Sequence, residues 1–146
     1  MRLSNLADYA VITMSQAARH CGSSRVSAAE LAGETGLPVP TVQRLVSKLT
    51  AAGLLSSTRG VGGGLQLARP AAAITVADIV EAIEGPIALT SCIDHGHCDY
   101  EAGCSMRPHW PIINRALRSA LADVTLDQLR TPPTAHPLLT PQEKVA

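Results

Sequence analysis

Three cysteines, Cys92, Cys98 and Cys104, stand at equal intervals with five residues between neighbours, in the stretch "TSCIDHGHCDYEAGCSMRPHW" from Thr90 to Trp110. Asp94, His95, His97, Asp99, Glu101 and His109 are interleaved with or follow them. Thiols, imidazoles and carboxylates together are metal-ligand chemistry, although thiols alone could also pair as disulfides or act as nucleophiles. The loop has no extended apolar period, so burial alone cannot hold it. Structural zinc usually draws on cysteine pairs two to four residues apart. No such pair is present, although His95 or His97 could complete a Cys/His set. Iron–sulfur clusters are larger than one ion, take thiolates and accept wider loops, with an acid or imidazole able to fill a remaining iron position. The spacing ranks a cluster above zinc, and zinc above unliganded or redox-active thiols. A thiol-redox enzyme would need a close cysteine pair, or a cysteine at a helix N-terminus beside a base. Neither is evident, so the chain is not expected to be an enzyme. The fourth cysteine, Cys21, lies far upstream and reads as a bystander.

Length and composition limit what surrounds this loop. The 146 residues suit one domain with an appendage. The apolar share is 46%, with no Phe, one Trp and two Tyr, so the core is built from Ala, Leu, Val and Ile, which suits packed helices better than a sandwich of strands. The start "MRLSNLADYAVITM" carries Asp8 where a secretory leader would be apolar. No apolar run reaches the ~18 residues of a membrane span. The expectation is therefore a cytoplasmic protein with no membrane partner, in which thiols stay reduced. Net charge is zero but unevenly spread. Residues 1–69 hold seven Lys/Arg against three acids, and residues 70–146 hold five against nine. A basic half beside an acidic half is the asymmetry expected when one half meets a polyanion.

The basic half has the pattern of a DNA reader. Leu3, Leu6, Ala10, Met14, Ala17 and Ala18 recur at helical spacing, predicting a helix over residues 3–19. Ser27 with Glu30 forms a capping box for "AAELAGET", which stops at Gly36. Pro38 and Pro40 suit a helix start, and from Thr41 the residues Val42, Leu45, Val46 and Leu49 form one apolar stripe. Helix, short turn and helix make a helix-turn-helix, whose second helix can enter the major groove. Thr41, Gln43, Arg44, Ser47 and Lys48 then face outward. Thr41 and Gln43 suit base edges, and Arg44 and Lys48 suit phosphates. "LLSST" and "LQLA" read as strands joined by "RGVGGG", the wing of a winged helix, with Arg59 placed to reach a minor groove. A phosphate loop is the competing reading of these glycines, and it lacks the Lys-Ser/Thr and the following helix.

Thr75 and Asp78 cap a further helix, "TVADIVEAIEG". Pro108 and Pro111 open a last helical pattern, expected to run to about Leu129, in which Ile113, Leu117, Ala120 or Leu121, and Val124 repeat in steps of three and four. With no core left to cover, this stripe reads as a dimer seam. The proline-rich end is expected to be disordered. The fold class expected is mainly α with a small β-hairpin wing. It divides into a winged helix-turn-helix domain over residues 1–84, a cysteine-rich loop over 85–107, a long dimerisation helix over 108–130 and a tail over 131–146.

"RLSNLADYAV", "AAELAGETGLPVPTVQRLVSKLTAAGLL", "STRGVGGGLQLARP", "ITVADIVEAIEGPIALTSC" and the three-cysteine loop together resemble the Rrf family of winged-helix transcriptional regulators, over residues 1 to about 129. "LADYA" and "EGPIALTSC…HGHC" are most like its regulators of SUF-type iron–sulfur assembly. The resemblance implies a homodimeric repressor on a palindromic double-stranded DNA operator, with an iron–sulfur cluster (2Fe–2S or 4Fe–4S) held by Cys92, Cys98 and Cys104. IscR-like members carry a histidine three residues after the third cysteine, where this chain has Arg107. NsrR-like members use an acid near the N-terminus of the partner subunit, a position that Asp8 matches. Asp8 is therefore the expected fourth ligand, ahead of His109, His95 and His97. The alternative is a constitutive winged-helix DNA-binding protein with a structural zinc in the Cys/His loop.

Overall fold

The computed structural model describes residues 1–22 and 25–130. The two serines of the first loop and the proline-rich tail, 131–146, lie outside the described residues. The first helix, α1 (Asn5–Arg19), begins where the Ser4 hydroxyl accepts from the Ala7 amide at 3.1 Å. Leu3 is thereby left outside the helix and exposed. The inner face of α1 is mostly small, with Ala7, Ala10, Thr13, Met14, Ala17 and Ala18 buried. Small side chains let neighbouring elements approach closely, and α1 packs against four other helices and a strand.

Helix α2 (Ala28–Thr35) has the expected Ser27–Glu30 capping box and ends at Gly36, whose φ of 75° favours a residue without Cβ. Helix α3 (Val39–Ala51) begins two residues before Thr41, with Pro40 inside its first turn, where the missing N–H costs nothing. Val42, Leu45 and Leu49 are fully buried under α1 and α2, and Val46 is half-buried. The strands β1 (Leu55–Thr58) and β2 (Gly64–Leu67) pair antiparallel, Leu55 opposite Leu67 and Thr58 opposite Gly64. Gly63 closes the tip, where a Cβ would collide with the Thr58 carbonyl oxygen. Val26 bridges to Leu65 on the other edge of β2, which ties the hairpin to the start of α2.

Helix α4 (Val76–Glu84) carries the Thr75–Asp78 capping box and buries Ala77, Ile79, Val80 and Ile83. Residues 85–109 form an irregular segment with one 3-10 turn at Glu101–Gly103. After it come α5 (Trp110–Ala122) and α6 (Leu126–Leu129).

The last two helices correct the expectation of one continuous helix to Leu129. Thr125 caps α6 through a capping box with Gln128, and backbone groups around the break are used elsewhere. Val124 accepts from the Val76 amide at 2.9 Å, and the Leu126 amide donates to the Ile74 carbonyl at 2.8 Å. Leu126 is fully buried, so α6 packs back onto its own domain. A stripe in steps of three and four cannot separate one helix from two in nearly the same phase. The upper stripe behaves differently: Ile112 is 65% exposed and Ile113 is 40% exposed. Among the described residues no helix is long and apolar enough to cross a membrane.

Leu126→Ala should therefore destabilise the fold by ~2–5 kcal/mol, the range for emptying a packed leucine site. Val124→Ala, on a 37% exposed residue, should change it by less than ~0.5 kcal/mol. Urea unfolding of both variants checks the pair; equal effects would mean that α6 is not docked as described.

Candidate functional site

The irregular segment between α4 and α5 brings its three cysteines to one place. Cys92, Cys98 and Cys104 line a common cavity of about 340 Å³ with Thr90, Ser91, Glu101, Arg107 and Trp110. Short local bonds shape it. The Gly96 amide donates to the Ser91 carbonyl at 2.7 Å and the Glu101 amide to the Cys98 carbonyl at 3.2 Å. The Arg107 amide donates to the Cys104 carbonyl at 3.3 Å. Thr90 Oγ1 and Cys92 Sγ are hydrogen-bonded at 3.0 Å. All four cysteines are free thiols, and Cys21 is exposed in the first loop.

This donor set suits a soft metal group, because thiolates select zinc, copper(I) or iron–sulfur clusters. Among the described residues, however, no three His, Cys, Asp or Glu side chains form a group that could hold a metal ion. Three thiols around a shared cavity are donors that an iron–sulfur cluster or a zinc ion could use.

The donors considered for a fourth position lie elsewhere. Asp8 is exposed in the first turn of α1 and does not line the cavity, so it serves the site only if a second protomer presents it. His109, at the N-cap of α5, is exposed and also off the cavity wall. His95 is exposed, with a left-handed φ of 54°. His97 pairs with Asp99 at 2.9 Å out in solvent. The acid that does line the cavity is Glu101, and Arg107 holds it at 2.7 Å. Its pairing with Arg107, across five intervening loop residues, has no signature in sequence periodicity.

Two further residues fix the approach to the loop. Asn114, 9% exposed on α5, accepts from the Leu89 amide and donates to the Ile87 carbonyl, each at 2.9 Å. Its signal in sequence is a polar residue three and seven positions before Leu117 and Leu121 on the inner face of the helix. Glu81 on α4 receives two bonds from Arg118 of α5, at 2.9 and 3.0 Å, and one from the Ile87 amide at 3.3 Å. The Arg118 guanidinium first, and then the Ile87 amide, lower the Glu81 carboxyl below the usual carboxylate range against the opposing effect of burial.

In the first half of the chain, α3 leaves Gln43, Arg44 and Ser47 exposed and Thr41 half-buried. Lys48 is half-buried too, and its ammonium donates to the Ile83 carbonyl at the end of α4, at 3.4 Å. Arg59 is exposed at the start of the hairpin tip. Arg25, absent from the residues singled out in the sequence, donates to the Thr58 hydroxyl and braces the tip end of the same hairpin.

A helix-turn-helix with an exposed polar second helix, followed directly by a glycine-tipped hairpin, defines a winged-helix transcriptional regulator. Residues 3–132 match the Rrf2 family, described as an iron-dependent transcriptional regulator, and the chain belongs to that family. It is 34% identical over 131 residues to the HTH-type transcriptional regulator IscR of Vibrio atlanticus strain LGP32, covering 88% of this chain and 75% of that one. The structure of T. potens IscR aligns with a TM-score of 0.68 at 29% identity, over 88% of this chain and 85% of that one. CymR (YrzC), the global cysteine regulator of B. subtilis, aligns with a TM-score of 0.73 at 30% identity, over 89% and 96%. These relatives are regulators of transcription and not enzymes.

The Glu81–Arg118 contact carries a pH dependence. A lowered folded pKa stabilises the fold above the unfolded carboxylate pKa, and this is lost as pH falls through the folded value. Arg118→Ala should therefore be less stable than the natural chain at neutral pH, with the gap closing under acid. Thermal unfolding across that pH range checks it; a gap that widened in acid would contradict the assignment.

Proposed function

We propose that the chain acts as a homodimeric repressor whose affinity for a palindromic DNA operator is set by an iron–sulfur cluster on Cys92, Cys98 and Cys104. The observation that carries this reading is the cavity that all three thiols line together. The resemblance to IscR supports it, and extends it to control of iron–sulfur assembly genes of the SUF type, or of a redox or nitric-oxide response. When bound, a cluster would supply a redox-active iron–sulfide core, held by the cysteine thiolates, that can be lost or oxidised and so carry a signal. The chain's own residues supply the rest. The DNA-reading half spans residues 1–84, the cluster loop 85–107, and the dimer-forming segment lies within 108–130. Ile112 and Ile113, exposed on α5, supply apolar surface for a second copy. Asp8 of that copy stands as a donor from across the interface.

On DNA, Thr41 and Gln43 read base edges, Arg44 and Lys48 meet phosphates, and Arg59 enters the minor groove. Arg44 carries more of the phosphate contact than Lys48, whose ammonium is already engaged by Ile83. Two recognition helices must match half-sites about 34 Å apart, or a multiple of that. Ordering of the loop between Leu89 and Trp110 changes how α5, and with it the second protomer, is held against the DNA-reading half.

Protein purified without oxygen should show visible charge-transfer absorption with iron and sulfide bound, and Cys98→Ser should lose both. Colourless protein carrying zinc, with DNA affinity indifferent to metal removal, would sink this reading.

Gln43→Ala should lower discrimination at one base position by ~1–3 kcal/mol, while Arg44→Ala should weaken all sequences alike and reduce the salt slope by about 1. Fluorescence anisotropy on operator, single-mismatch and random duplexes separates them. Equal loss on operator and random DNA for Gln43→Ala would remove it from base reading.

A further inference from the structure

We infer that Arg25 is a positioning residue of the wing: by bonding Thr58 it fixes the direction in which Arg59 leaves the hairpin, and with it the reading of a minor groove. The inference rests on the minor-groove role given to Arg59 above. Arg25 lies just before α2, next to Val26. The Val26 amide donates to the Leu65 carbonyl at 3.1 Å, and the Leu65 amide donates to the Val26 carbonyl at 2.7 Å. This segment therefore runs along the edge of β2 away from β1. Side chains alternate across a sheet, so Arg25 stands on the face opposite to Val26 and Leu65. That face is shared by Gly64 and Thr58, which are paired. Gly64 leaves it bare. A Cβ there would come to 3.0 Å of the Arg25 Cβ and 3.1 Å of the Val26 carbonyl oxygen, and its φ of 138° disfavours any side chain. Arg25 crosses this gap from the edge segment to β1, where its guanidinium donates to the Thr58 hydroxyl.

Thr58 is the last residue of β1, and Arg59 follows it directly. Beyond Arg59, the Gly63 amide donates to the Gly60 carbonyl at 2.9 Å and closes the tip on itself. That bond leaves the tip free to swing as a unit, whereas the bond from Arg25 ties its root to the start of α2. Arg59 is exposed and long, so ordering it against DNA costs side-chain freedom, and any freedom at its root adds to that cost. Arg25 removes part of the cost before DNA arrives. A guanidinium suits the task because its forked donors reach across a bare strand, and its charge adds to the attraction of the wing for phosphates.

The test uses the full chain and a duplex that it selects from a randomised pool, rebuilt with A·T, I·C or G·C pairs in the flanks where the wings fall. Inosine lacks the guanine 2-amino group, so an I·C pair presents the minor groove of A·T beneath a major groove like that of G·C. The natural chain should favour A·T and I·C flanks alike over G·C, and Arg59→Ala should lose that preference. Arg25→Ala and Thr58→Val should each reduce it by about 2- to 10-fold, the scale of ordering one long side chain on binding. Thermal unfolding of both should stay close to that of the natural chain. Arg25→Lys, which can still donate to Thr58, should restore part of the preference. In the Arg59→Ala background, Arg25→Ala should have no further effect, because it acts through Arg59. The proposal is overturned if Thr58→Val keeps the natural preference. It is overturned too if Arg25→Ala weakens the Arg59→Ala chain as much as it weakens the natural one, which would make Arg25 a direct DNA contact. A natural chain without flank preference, or a preference that survives Arg59→Ala, would instead remove the minor-groove reading of Arg59, and this inference with it.

Discussion

The amide of Asn114 accepts from the Leu89 amide and donates to the Ile87 carbonyl, each at 2.9 Å, from a nearly buried position on α5. Twenty residues separate Leu89 from Trp110, and they contain almost no apolar side chains to pin them. Their course is held by short bonds within the loop and anchored at the two ends, by Asn114 at one and by the start of α5 at the other. Because Asn114 belongs to α5, both ends are held by the same helix. The loop closes on itself, and this closure brings Cys92, near the entrance, to the same cavity as Cys104, near the exit. An apolar residue at 114 would leave a part-buried N–H and a part-buried carbonyl without this partner, at a cost of up to about 1–3 kcal/mol each. The position is polar because the backbone it meets is irregular and cannot satisfy itself.

Much of the fold was legible because its devices are local. Ser27 with Glu30, and Thr75 with Asp78, announce helix starts over four residues, and Gly36 ends a helix where a left-handed residue is needed. The three-cysteine loop was legible by residue type. Thr125 and Gln128 form a capping box of the same kind, yet the steps from Leu117 through Leu121 and Val124 to Gln128 stay near helical phase and concealed the break. What ends α5 is a pair of long-range backbone bonds to residues 74 and 76, and no local pattern encodes those. The walls of the cysteine cavity were hidden for a related reason. Glu101 and Arg107 meet only because two successive turns fold the chain back, so charge identity was readable and their proximity was not.

The same long-range contacts tie the cysteine segment to α3, the helix proposed to read DNA. Helix α4 is gripped on two sides. Lys48, on α3, the helix proposed to read DNA, donates to the carbonyl of Ile83 in the last turn of α4, where the partial negative charge of the helix end favours a cation. Two residues earlier, Glu81 takes the Ile87 amide and the Arg118 guanidinium, which belong to the segment leading to Cys92 and to α5. The end of α4 is thus the place where the reading helix, the cysteine segment and the exposed apolar helix are bonded together within a single turn. A chain of contacts does not by itself transmit anything; it needs an element with two arrangements. The loop from Cys92 to Cys104 qualifies under the proposed function, since its thiols are either joined through a shared group or free. Joined, they stiffen a segment whose first residues are already tied to α4 and α5. Free, they would leave that segment to Asn114, Glu81, its own short bonds and the packing of α5 on α4, without a crosslink.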